Sequence, residues 1–306
     1  MIVTKCTPGG WIWWLTAMVG LLGAAPVRLA AQAICSAPHS SPVLASGQAL
    51  RTLPPGTGWF QVSAFHQFSD RYFGTEGERR PFLAQGEVTT RSAYLTGAVG
   101  IARGIDLWAQ FPLLDVRYAD QTGARDGSGR GDPRLAVRVG PELFGAAAPL
   151  ALRAGLKLPG RDFPVDATLI PLSEGQRDWE ISLESGTALQ GVPLYVLGWV
   201  GYRWRELNAE VDRKPGNERF AHFGIGGKVR ALHLEAAAEW VSGEAPRYLG
   251  LEVPTAARQL VQLQPTAAYD LGPGSIQITG LIPVAGRNLP SGPGISAGYR
   301  VNWGAP

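Results

Sequence analysis

The sequence predicts an all-β protein, a transmembrane antiparallel up-and-down β-barrel of about twelve strands. Three observations carry that prediction. A two-residue alternation of apolar and polar side chains returns again and again from Trp59 to the end of the chain. The alternating segments run to roughly ten residues, the length that a tilted strand needs to cross a membrane. The connections between them are by turns short and then long and polar, which sorts them onto the two ends of a barrel. Composition agrees: 306 residues include 40 glycines and 10 tryptophans but only 2 methionines. That mix suits strands and turns better than helices.

The elements follow in order. Residues 1–33 read as an export signal. Lys5 precedes an uncharged apolar run from Trp11 to Val27, and Ala31-Gln32-Ala33 is a small-x-small cleavage site. Residues 34–57 are rich in Pro, Ser and Ala without periodicity and are expected to be a linker or plug. Residues 58–306 are the expected barrel. Once the signal is removed, Cys35 has no partner, so neither a disulfide nor a cysteine metal site is expected.

Strands are expected near 59–69, 88–100, 104–114, 132–140, 150–158, 179–189, 194–205, 219–229, 232–241, 259–271, 275–284 and 294–303. Long loops are expected at 70–87, 117–131, 159–178, 206–218 and 242–257, outside the cell, with short turns on the periplasmic side. The stretch PLALRAGLKLPG (149–160) is the clearest strand. Leu150, Leu152, Ala154, Leu156 and Leu158 share one parity and face lipid, while Arg153 and Lys157 share the other and face a wet lumen.

The register is also predicted. A two-residue turn at Arg230-Ala231 sets Lys228 opposite His233, Gly226 opposite Glu235, and His222 opposite Glu239. A turn at 271–274 puts Gln262, Gln264, Thr266, Gln277 and Thr279 inside. Tyr202 and Trp204 fall outward, where an aromatic girdle belongs.

Several segments carry a resemblance: ARGIDLWAQFPLL (102–114), GSGRGDPRLAVRVG (127–140), LRAGLKLPG (152–160), DWEISLESG (178–186), LGWVGYRWREL (197–207) and GLIPVAGRNLPSGPGISAGYRVNW (280–303). In order along the chain, they resemble the outer-membrane barrel "transporter" family associated with the meta-cleavage pathway of phenol degradation. The resemblance implies a barrel of about twelve strands that moves small, often hydrophobic molecules. The chain ends Trp-Gly-Ala-Pro rather than in an aromatic, so the insertion signal would be AGYRVNW, set back by three residues.

The expected function is therefore that of an outer-membrane channel for small hydrophobic or aromatic molecules. The alternative is a closed structural or surface-interaction barrel. A soluble sandwich ranks third, because it would not sort its loops by length. Outer-membrane lipid, a small solute and the barrel-assembly machinery are the expected partners. A formal charge of +3 gives no case for nucleic acid.

An enzyme is not expected, because neither Gly-x-Ser-x-Gly nor His-Glu-x-x-His occurs. His222 with Glu239 is the one expected coupled pair, and no serine falls in register with it. Asp126–Asp132 (DGSGRGD) resembles a calcium loop in composition only, lacking the bidentate Glu. No metal and no cofactor are expected.

The lumen carries the informative residues. Arg134, Arg138, Arg153 and Lys157 are expected to project inward as a cationic ladder. Glu180 and Glu184 come from the next strand, then Arg203 and Arg205, with Glu180 beside Arg203. These residues, with His222 and Glu239, are expected either to neutralise one another inside a narrow barrel or to form a selective constriction. Pro112 and Pro283 interrupt apolar runs that continue past them, and mark an expected lateral opening. Pro159, followed by glycine, simply ends its strand.

Overall fold

The computed structural model describes residues 51–146, 148–160 and 170–304. The export signal, most of the 34–57 segment and the tip of the 159–178 loop lie outside them.

Twelve strands close into one antiparallel barrel. They are β1 (Gly58–Ser69), β2 (Glu87–Ala102), β3 (Ile105–Asp120), β4 (Gly123–Arg130 and Arg134–Val139), β5 (Leu150–Lys157) and β6 (Asp178–Ala188). There follow β7 (Leu194–Arg205), β8 (Glu218–Val229), β9 (Leu232–Gly243), β10 (Gln259–Leu271), β11 (Gly274–Arg287) and β12 (Gly294–Trp303). Sequential strands pair, and β1 pairs with β12 from Gly58↔Trp303 to Gln67↔Gly294, so no sheet edge faces the hydrocarbon. None of the described residues forms a helix long and apolar enough to cross a membrane.

The faces fall as the alternation predicts. Leu150 and Leu152 are exposed on the outer wall, while Arg153 and Lys157 are turned inward and are largely or wholly buried. The outer wall is an apolar belt that includes Phe60, Phe111, Phe223, Ile278 and Ile295. Register is what makes this consistent, since a slip by one residue would invert every face. Lys228↔His233, Gly226↔Glu235 and His222↔Glu239 all pair as expected about the Arg230-Ala231 turn. Thr266↔Thr279 pairs as the 271–274 turn requires. Tyr202 and Trp204 meet edge to face on the outer wall, centroids 4.8 Å apart.

Three expectations need correction. Residues 117–131 are not a loose loop: β3 and β4 extend as a hairpin from Leu113↔Arg130 to Asp120↔Gly123. This part of β4 is polar, glycine-rich and largely exposed, so it has no buried face to impose an apolar period. The 140–149 connection is longer than a tight turn, because a 3-10 turn at Pro141–Phe144 follows β4. The long loops also carry structure of their own. Arg213–Lys214, Arg247–Tyr248 and Leu251–Glu252 form one small sheet, and Arg71–Phe73, Arg79–Pro81 and Leu289–Pro290 form another.

Candidate functional site

The lumen has a charged side and a neutral side. Most of its inward charges come from β3 to β9, and they concentrate at the long-loop end. There Lys157 lies 3.2 Å from Asp132, 2.8 Å from Glu174 and 2.9 Å from Asp178. Arg205 pairs with Glu174 and reaches Asp178 at 3.3 Å and Glu218 at 3.4 Å. Arg203 joins Glu180 at 3.0 Å to Glu218 at 2.7 Å, and Arg258 also donates to Glu218. Arg203 and Glu218 are 2% and 1% exposed. At that burial an ion stays charged only if its partners replace the lost water.

Glu174 belongs to no strand; the loop between β5 and β6 carries it into the barrel. Ile170, Leu172, Ser173, Glu174 and Gln176 are all buried there. The Glu174 N–H donates to Asp132 at 3.2 Å, and Asn208 donates to its carbonyl at 3.2 Å. Burial alone would push the Glu174 carboxyl up. Arg205 and Lys157 more than offset that and hold it well below the usual carboxylate range.

A second cluster sits at the short-turn end. Arg138 donates to Asp106 at 2.7 Å and to Glu184 at 3.5 Å, and Arg153 also meets Glu184 at 3.5 Å. The Arg153 guanidinium lies 4.4 Å from the centroid of Trp108. The described end of the N-terminal segment fits into this cluster. Leu53 N–H donates to Asp106 at 3.0 Å, and the Arg51 carbonyl accepts from Arg138 at 2.9 Å. A Cβ at Gly100 would overlap the Leu53 and Pro54 carbonyl oxygens, so glycine is what admits the segment.

The opposite wall, β10 to β12 with β1 and β2, presents Gln262, Gln264, Thr266, Gln277, Thr279, Ser63, Thr90 and Ser92. Thr266 and Thr279 hydroxyls bond across strands at 3.0 Å. Among the described residues, the Thr90 and Ser92 hydroxyls have no hydrogen-bond partner. Among the described residues, the inward-facing charge of these strands lies at the short-turn rim, where Asp270 takes Lys228 at 2.8 Å and Arg300 lies over Trp59.

All ten luminal residues named from the sequence are turned inward, and Glu180 does lie beside Arg203. The ladder of Arg138, Arg153 and Lys157 is not bare, because each has carboxylates beside it. His222 and Glu239 are cross-strand neighbours, but their side chains engage other groups. Glu239 accepts from Gln262 at 2.5 Å and Gln264 at 2.7 Å. His222 stacks on Trp199 with centroids 3.8 Å apart, and its Nε2 has no partner among the described residues. A flat neighbour on the adjacent strand explains the difference, since stacking turns the ring along the wall.

Sequence reasoning missed Asp106, Asp132, Glu174, Asp178, Glu218 and Arg258. Inward parity on their strands could have found Asp106, Asp178 and Glu218. Glu174 carries no such signal. Among the described residues no group of three or more His, Cys, Asp or Glu could hold a metal ion.

A cavity of about 310 Å³ opens above the charged cluster at the long-loop end. Tyr72, Phe82, Tyr118 and Tyr248 wall it, over a floor that includes Glu174, Arg205 and Arg258. Tyr72 and Phe82 stack at 5.3 Å, and Phe82 meets Tyr118 edge to face at 6.2 Å.

Among solved structures, an outer-membrane channel from Pseudomonas putida F1 matches over 83% of this chain and 98% of its own, with a TM-score of 0.68 and 17% identity. That likeness settles the fold. The β domain of the Bordetella autotransporter BrkA matches at TM-score 0.46 and 12% identity, covering 81% of this chain and all of its own. The CymD monoaromatic hydrocarbon channel matches at 0.42 and 8%, covering 90% and 97%. No protein-family model and no curated protein matches the sequence.

Proposed function

We propose that this chain is an outer-membrane channel for small hydrophobic or aromatic molecules, with its long loops outside the cell and its short turns in the periplasm. The aromatic cavity at the long-loop mouth carries this reading. Its volume lies at the small end of ligand sites, and its aromatic walls, interrupted by charged groups such as Glu78, Arg80, Arg213 and Glu244, offer a small ring-bearing solute both stacking surface and fixed polar partners. The resemblance of the strand motifs to the phenol-pathway barrel family points the same way.

A small polar solute that crosses the lumen then follows the neutral wall, where amide and hydroxyl groups can exchange partners with a passing molecule at little cost. Arg134, Arg138, Arg153, Lys157, Glu180, Glu184, Arg203, Arg205, His222 and Glu239 narrow the other side and exclude poorly matched ions. The reading includes export by the residue 1–33 signal, insertion by the barrel-assembly machinery and a lipid-facing belt, and it assigns no catalytic role.

A second reading, a closed barrel without transport, is favoured by the Arg51–Thr57 segment at one end and the Glu174 loop at the other. Purified protein in planar bilayers separates the two. Discrete openings, with uptake of a monoaromatic solute that falls in the Phe82→Ala variant, support the channel. No conductance and no uptake above lipid alone would leave the closed barrel.

A further inference from the structure

Among the described residues, the barrel wall has a weak line that runs through β4. Leu113 pairs with Arg130 and Gln110 pairs with Arg134, so Gly131, Asp132 and Pro133 face only Phe111 and Pro112. Two of these five residues are prolines, which cannot donate to a ladder. On its other side, β4 pairs with β5 only from Val139↔Leu152 to Arg134↔Lys157. Among the described residues, three bonds then hold the two sides of the seam. Gly131 N–H donates to the Pro112 carbonyl at 3.0 Å, Leu158 N–H to the Pro133 carbonyl at 2.9 Å, and Gly160 N–H to Asp132 at 2.9 Å. A Cβ at Gly160 would overlap the Gly131 carbonyl oxygen, so the seam shuts by contact of two glycine backbones.

Apart from the Asp132 carboxylate, the side chains on both faces of this seam are apolar. Inside, a Cβ at Gly131 would meet Leu114 Cδ1 at 2.7 Å and Pro112 Cγ at 3.1 Å. Leu114 packs in one cluster with Val116, Tyr118 and Phe82, the last two of which also wall the aromatic cavity. Outside, an apolar groove runs down the wall, with Phe111 and Leu135 beside the seam and small residues at Gly97, Ala109 and Ala154. Asp132 ties the seam to the lumen, since it also accepts from Lys157 and from the Glu174 backbone. Pro283 lies at a comparable irregularity, but there the Arg79 guanidinium donates to its carbonyl at 2.7 Å and Phe73 packs against Gly286.

We infer that the Gly131–Pro133 seam is a lateral exit, through which a hydrophobic solute passes from the aromatic cavity along Leu114 and Pro112 to the outer-wall groove and into the membrane. This rests on the transport reading above. The route leaves the lumen at the edge of the charged cluster, beside Asp132, and does not cross its centre, where an uncharged ring would displace ion-pair partners without replacing them.

The test ties the seam shut. Pro133→Cys with Leu158→Cys, in a Cys35→Ser background, is bridged by oxidation or by a short bifunctional thiol reagent. Whole cells then report uptake of N-phenyl-1-naphthylamine beside flux of arabinose, and heat-modifiable migration on gels reports that the tied barrel is folded. Expected is loss of naphthylamine uptake to the level of cells lacking the protein, unchanged arabinose flux, and recovery when the disulfide is reduced. Naphthylamine uptake that survives the tie, or uptake and flux that fall together, would overturn the lateral exit. So would two cysteines that neither treatment can bridge, because they would not be neighbours. Untied protein that takes up no more naphthylamine than cells without it would sink the transport reading itself.

Discussion

The two sides of this lumen are built from the same strand geometry and solve the same problem in different ways. The β3–β9 side fills its space with ions whose partners are held by several strands and a loop. The β10–β2 side fills it with amides and hydroxyls that are partnered locally or left with spare capacity. In the first, each group is costly to leave alone, so the arrangement is rigid. In the second, a hydrogen bond lost is a hydrogen bond readily replaced by water or solute. One wall therefore sets the bore, and the other can afford to be touched.

The contrast is sharpened first by removing a hub. Glu218 serves Arg203, Arg205 and Arg258. Glu218→Ala leaves buried guanidinium groups short of a partner and is expected to cost about 3–5 kcal/mol, read as a lower urea midpoint for refolded barrel in detergent. A midpoint shift no larger than that of a neutral-wall variant would mean the charged wall is no stiffer than its opposite.

The second expectation concerns pH. The folded Glu174 carboxyl sits well below its ordinary value of 4.5. The stabilisation it brings is therefore fully present above that value and fades only as pH falls toward the lower, folded one. Protease resistance of the 170–177 segment should hold from neutral pH down to about 5. Glu174→Gln, which cannot answer two cations, should make the segment cleavable across that same range. Cleavage of the parent near pH 5 would show that the loop is not held by this charge.

The smallest effect is expected on the neutral wall. Thr279→Val removes a hydroxyl that contacts Thr266 and Gln277 and should cost about 0.5–1.5 kcal/mol. Solute flux, rather than stability, should be the sensitive readout there. A stability loss as large as that of Glu218→Ala would erase the distinction between the two walls.

How much of this was legible depended on periodicity. Period-two segments such as Leu150–Lys157 and Leu232–Gly243 declared both their strand and their faces, because a lipid-facing side must be apolar throughout. Turn geometry then propagated the register across hairpins, and the Arg203–Glu180 neighbours followed. The Gly123–Arg130 part of β4 escaped because it stands clear of any buried face. Glu174 escaped for a different reason: nothing local distinguishes a loop carboxylate that folds inward from one that stays in water. The lean of His222 toward Trp199 rather than Glu239 was equally hidden, since register gives neighbours and not rotamers.

The closing pair of strands has its own consequence for how the molecule comes to exist. Gly58 meets Trp303, so the ring of strands cannot shut until nearly the whole chain has been delivered. Until then both β1 and β12 expose bare backbone donors and acceptors, a state that tends toward pairing with other chains. Contacts this distant in sequence also form slowly. The Arg51–Thr57 stretch precedes β1, yet it bonds to Asp106 and Arg138, two and three strands further round. In the finished barrel it ties the leading edge to strands beyond its immediate neighbour. A chain shortened by its last strand would accordingly yield no smaller ring, only a sheet with two open sides.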